Sequence, residues 1–347
     1  MTPPSRLLGR PALVGHAQRI AETADHRPAV RVGLGLAIPA VALLALGRID
    51  LLIFAVFGSF VGMYGRGQMA GVRLRQQVLA TGLLGMAVAA GTALPAVGAG
   101  PPVIAACAVA YAVAASWLIE RLGLRPLGPF FVLFAFCTFA TLPLEARRDS
   151  EAIAEVGLLV FAATAAFCLG MGQLTRIGVL GPFRSAPVPG SAIPTPPAEA
   201  AWRAATYGVA VALAAAIALG FDVGHLGWAA AGAAVPLAAP TFGRRLARGA
   251  QCLAGTMVGL AVAAVALLPG WPPVARAVLV IVLMFPTEMF MARNYGLALG
   301  FFTPLILLMM SLVEQADPAW LLLDRFVGIV IGAGSGLVVA ALFRRAP

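Results

Sequence analysis

The sequence predicts an all-α, polytopic membrane helix bundle of about 12 transmembrane helices, arranged as two parallel six-helix repeats. Three observations carry that expectation. The composition is one that only lipid can solvate, apolar runs alternate with arginine-bearing loops, and matching residues recur 171 to 174 positions apart.

Hydrophobic residues make up 61% of the 347-residue chain and charged residues only 11%, with a mean hydropathy of +0.94. A water-facing surface needs roughly 25% charged residues; this chain lacks them, so lipid must take the place of water. All 24 basic residues are arginine, and the net charge is +10. The arginines sit in short loops between apolar stretches rather than on one soluble domain, so nucleic acid is not an expected partner. Cys107, Cys137, Cys168 and Cys252 lie inside apolar runs with no metal-binding or C-x-x-C spacing, and read as small packing residues. Residues 1–29 lack the apolar core of a signal peptide and read as a cytoplasmic tail.

A spanning helix needs about 20 mainly apolar residues. Candidate spans fall near 30–47, 51–64, 78–97, 102–119, 127–143, 153–174, 203–220, 226–240, 250–269, 274–291, 295–313 and 325–343. With the N-terminus inside, every arginine except Arg48, Arg147, Arg148, Arg276 and Arg325 falls on the inner side. That alternation satisfies the positive-inside rule with both termini cytoplasmic, as in a bacterial inner membrane.

The segment 175–200 is Pro-rich and reads as a cytoplasmic linker, separating a first repeat at 30–174 from a second at 201–347. Arg31 is matched by Arg203, Arg73-Leu74-Arg75 by Arg245-Leu246-Ala247-Arg248, and the helix containing Gly85 by that containing Gly259. Further on, Arg121 pairs with Arg293, Gly128 with Gly300, and Phe130-Phe131 with Phe301-Phe302. An even number of helices per copy makes the repeats parallel, about an axis along the membrane normal, where a cavity is expected.

The stretch from Ala201 to Leu268 resembles the fusaric-acid-resistance-like (FUSC) group of the aromatic acid exporter superfamily, which also includes plant aluminium-activated malate transporters. The residues that carry the resemblance are Arg203 opening a helix, Trp228-Ala229 after a small-residue helix, then Arg244, Arg245 and Arg248 ahead of Gly255-Thr256-Met257-Val258-Gly259. A looser copy in the first half has Arg31, Gly82 and Gly85. The group's longer members carry a sizeable soluble domain where this chain has only the 175–200 linker. The resemblance implies efflux of small, often aromatic, carboxylic acids, with Trp228 among the residues that would meet substrate.

Arg31 and Arg203 each open a repeat's first helix, where an arginine either snorkels to lipid phosphate or orients a carboxylate bidentately. Arg73, Arg75, Arg245 and Arg248 fix topology and would concentrate anions in a cytoplasmic vestibule. Glu288 is a carboxylate inside an apolar span, a functional candidate by default, with Arg293 five residues on. It is either an interfacial residue paired with arginine or the carrier of a coupling proton. The short segments 51–64 and 226–240 occupy the same place in each repeat, which points to a central site or to tight helix packing. Phe130, Phe131, Phe134, Phe136 and Phe139 face lipid or, if turned inward, supply stacking for an aromatic ring. His225 and Asp222 read as solvated loop residues.

A secondary transporter exporting small organic anions with proton coupling is the leading expectation. Its partners are the lipid bilayer and the organic anion, with homo-oligomerisation left open. A passive organic-anion channel and a major-facilitator-like carrier are the alternatives, the latter disfavoured because the loop GRGQMAGVRLRQQ carries no Asp. No catalytic constellation, P-loop, cofactor or metal set is present in the sequence, which argues against an enzyme or an ATP-driven pump.

Overall fold

The computed structural model describes residues 26–66, 68–142, 150–174, 194–314 and 316–344. Most of the expected tail 1–29 and linker 175–200 therefore lies outside the described residues. Six helices precede the linker: α1 Arg27–Ala45, α2 Leu52–Ser59, α3 Ala70–Ala96, α4 Pro101–Leu122, α5 Phe130–Ala140 and α6 Ser150–Leu174. Six follow it: α7 Pro197–Gly220, α8 Leu226–Leu237, α9 Phe242–Leu267, α10 Pro273–Met291, α11 Tyr295–Val313 and α12 Pro318–Leu342. Among the described residues, nine helices are long and apolar enough to cross a bilayer. The shorter three are α2 with its flanking 3-10 turns (Ile49–Met63), α5 and α8. The expected span at 127–143 is thus helical only over Phe130–Ala140.

Local chemistry sets the helix ends. Pro318 opens α12 with a proline ring that fits the first turn, and the Asp317 side chain accepts from the amides of Ala319 and Trp320 at 2.8 and 3.1 Å. α4 stops at Gly123, whose φ of 65° is open to glycine without penalty. α2 is cut short by an extended Tyr64 and by Gly65 at φ 70°.

The short helices form the centre. Every residue of α8 and every residue from Leu51 to Met63 is buried, as are Phe131–Ala140 of α5 and Phe302–Met310 of α11. The longer helices ring this core and turn side chains such as Ile38, Val78, Val209 and Val282 outward. Packing partners recur between the halves. α2 packs on α6 as α8 packs on α12, α3 on α5 as α9 on α11, and α4 on α5 as α10 on α11. Across the halves α4 meets α7, α10 meets α1, α5 meets α8 and α11 meets α2.

Where the halves meet, aromatic rings fill the centre. Phe302 of α11 lies 6.1 Å from Phe60 and 6.0 Å from Phe134, and Phe57 lies 5.2 Å from Phe139. Phe131, Phe134, Phe136 and Phe139 are buried in protein rather than turned to lipid, and only Phe130 is partly accessible. Edge and tilted contacts of this kind add to the area that each ring buries. Cys137, Cys168 and Cys252 are free and buried, and Cys107 is half-buried, in keeping with packing roles.

Candidate functional site: a charged cavity between the halves

Below the phenylalanine core lies a cavity of about 370 Å³, within the range of small-molecule sites. Its walls come from both halves: Met63 and Arg66 after α2, Arg125 and Phe130–Phe131 around the start of α5, Val235 and Ala238 at the end of α8, Arg248 on α9, Glu288 near the end of α10 and Tyr295 at the start of α11. Two helix N-termini, those of α5 and α11, therefore face the cavity with the positive ends of their dipoles.

Glu288 is buried, at 1% side-chain exposure, and forms an ion pair with Arg66, 222 positions away. The same guanidinium nitrogen donates to the Glu288 backbone carbonyl at 2.8 Å. Arg293, the near neighbour in sequence, points elsewhere and sits 3.4 Å from His26. Glu288 Oε1 is buried with no hydrogen-bond partner among the described residues. Arg31 is buried close by, in the fields of Arg66, Arg73 and Glu288, and its Nε and Nη2 likewise have no hydrogen-bond partner among the described residues.

The other sequence-predicted residues scatter around this centre. Arg248 lines the cavity and lies over the Tyr295 ring at 4.0 Å. Arg73 is a buried clamp, donating to the carbonyls of Gln68 at 3.1 Å and Gly172 at 2.5 Å. Arg75 is exposed, and Arg245 donates to the Ala239 carbonyl at 3.0 Å. Arg203 belongs to an adjoining cavity of about 450 Å³, where it bonds Glu120 at 3.2 Å and Glu199 at 2.7 Å. Glu120 also accepts from the Thr195 hydroxyl at 2.6 Å, so both its oxygens are engaged.

Trp228 lies apart from the arginines. α8 runs from Leu226 to Leu237, so Trp228 is at the end opposite the cavity. There it stacks on His225, with ring centroids 4.2 Å apart, and the Arg325 guanidinium sits 5.4 Å from its centre. His225 is not a solvated loop residue, although Asp222 is exposed. The His225 Nδ1 meets Asp324 at 2.5 Å, its Nε2 meets Glu314 at 2.9 Å, and Asp324 also accepts from the amides of Gly224 and His225. Burial works against a charged imidazole here, but the hydrogen bonds to the two carboxylates outweigh it and push His225 up to about 9.

Sequence reasoning missed Arg66, Arg125 and Tyr295 at the cavity and the His225–Asp324–Glu314 cluster at the far end. Arg66 had a usable signal, since it stands in the basic loop just after a short buried segment. The histidine cluster had none, because its members come from three separate elements.

Residues 211–339, which contain α8 to α11, the second part of α7 and most of α12, match the family model described as fusaric acid resistance protein-like. Over this segment the chain is similar to that family. The family segment supplies Arg248, Glu288 and Tyr295 to the cavity; Arg66, Arg125 and the phenylalanines come from the chain before it. No curated protein and no solved structure matches the chain. Among the described residues, the nine apolar helices support a multi-pass membrane protein.

Proposed function

We propose that the protein is a secondary transporter that exports small organic acids, aromatic carboxylates among them, in exchange for protons. The observation that carries this reading is the cavity of about 370 Å³, which sets three arginines and one glutamate against a phenylalanine wall. Guanidinium forks match a carboxylate bidentately, and the rings of Phe130 and Phe131 offer an aromatic substrate a stacking face. Glu288 is the group that carries the coupling proton, since it is the carboxylate of the cavity wall and stands inside an apolar span. The arginine-rich ends of the helices are cytoplasmic, on the positive-inside rule, so the cavity opens to the inner side of a bacterial inner membrane. The recurrence of helix contacts between the halves supports two six-helix copies related by an axis along the membrane normal.

The test is flux of benzoate and a panel of aliphatic carboxylates in proteoliposomes, with and without an opposed pH gradient. Acid movement accelerated by the gradient is expected. No flux of any acid under either condition would overturn the reading. Flux that ignores the gradient would replace the exchanger by a passive channel, and a Glu288→Gln protein with unchanged proton-driven export would remove the glutamate from coupling.

A further inference from the structure

Two glutamates stand at two of the contacts between the halves, and they are held differently. Glu120, on α4 beside α7, has both carboxylate oxygens satisfied, by Arg203 and by Thr195. Glu288, on α10 beside α1, uses one oxygen on Arg66 and leaves Oε1 buried without a hydrogen-bond partner among the described residues. A buried carboxylate with an orphan oxygen forgoes a hydrogen bond that water would have supplied. The surroundings are also over-supplied with positive charge. Arg31 lies in the fields of Arg66, Arg73 and the Glu288 carboxylate together, and two of the Arg31 nitrogens have no hydrogen-bond partner among the described residues. Buried charge of one sign calls for a counter-ion. Arg66 is the member of the group that reaches the cavity, with 25% of its side chain exposed, and Glu288 lines the same wall.

We propose that Glu288 is a tethered competitor for the substrate carboxylate: it occupies the Arg66 guanidinium until an incoming organic carboxylate takes that place from the cavity. The inference rests on the organic-acid reading above and adds to it the residue that gates affinity. In the exchange one ion pair breaks and another forms at the same guanidinium, so the number of paired carboxylates at Arg66 does not change. The displaced Glu288 is then the group free to take the coupling proton. The charged and titratable groups near it are Arg31 on α1, Arg66 and Tyr295 on α11, with Arg125 and Arg248 also in the cavity wall; Arg73 on α3 stands behind Arg31.

The experiment is isothermal titration of the purified full-length protein in detergent with sodium benzoate. Removing the competitor without removing Arg66 should tighten binding, so Glu288→Gln is expected to bind about tenfold tighter than the wild type or better. Glu288→Asp, whose shorter side chain reaches Arg66 less well, should fall between them. Adding Arg66→Gln to Glu288→Gln should abolish the gain. Thermal unfolding with and without benzoate gives a second readout, in which benzoate should raise the melting temperature of Glu288→Gln more than that of the wild type. Equal or weaker binding by both Glu288 variants, beside a wild type that binds, overturns the competition and leaves the organic-acid reading standing. Absence of benzoate binding in every form, with no thermal shift, overturns both.

Discussion

Arg31 and Arg203 stand at the same place in their two halves, yet one is buried among arginines and the other is a half-exposed partner of two glutamates. Arg203 has 39% of its side chain exposed and answers both Glu120 and Glu199. Arg31 is 2% exposed, and two of its nitrogens find no hydrogen-bond partner among the described residues. The difference teaches that a matched sequence position fixes where a charge enters the bundle but not what it meets there. The α4–α7 contact closes its charges within itself. The α1–α10 contact leaves positive charge over and opens it, through Arg66, onto a cavity.

If burial decides the worth of these ion pairs, their loss should rank with it. The largest effect is expected for Glu288→Ala, which takes the buried carboxylate away from Arg66 and Arg31; removal of one partner of a buried pair costs about 3–5 kcal/mol. Chemical unfolding in detergent micelles reads this, and a loss below that of Glu120→Ala would break the comparison. The His225 cluster lies between the extremes, with side-chain exposures of 13% for His225, 10% for Glu314 and 3% for Asp324. Its histidine is raised from 6.5 to about 9, so the stabilisation is full below pH 6.5 and is lost as the pH climbs through 9. A His225→Gln protein should accordingly be less stable than the wild type by on the order of 2–3 kcal/mol at pH 6, and the gap should narrow toward pH 10. A gap that widens with pH would show that the imidazole is held neutral. The smallest effect belongs to Glu120→Ala, at about 1 kcal/mol, because the half-exposed Arg203 keeps Glu199 and water.

Much of the fold was legible because membrane solvation is blunt. Apolar length and arginine placement marked each described helix, though α3, α7, α9 and α12 begin six to eight residues before the expected spans, because their first turns carry polar or basic residues. The inward faces were not legible. Phe134 and Phe302 pack against protein, but a lipid-facing phenylalanine would sit in the same kind of run, since neither surrounding is polar. The pairing of Glu288 was hidden for another reason. Arg293 lies within reach along the chain, and nothing local says that Arg66, from the other half, arrives first. Trp228 was singled out on a resemblance, and the structure puts it at the far end of the molecule beside His225, away from the arginines it was grouped with.

Two helices, α8 and α11, touch both charged ends. α11 starts at Tyr295, in the cavity wall, and ends at Val313, next to the Glu314 that holds His225; its 19 residues make a rod of about 28 Å. Its only interior proline, Pro304, lies near the middle, where a missing amide allows the axis to bend. The helix is a strut with a single joint. Pro304 is the point on this rod at which its two ends are able to move apart in direction.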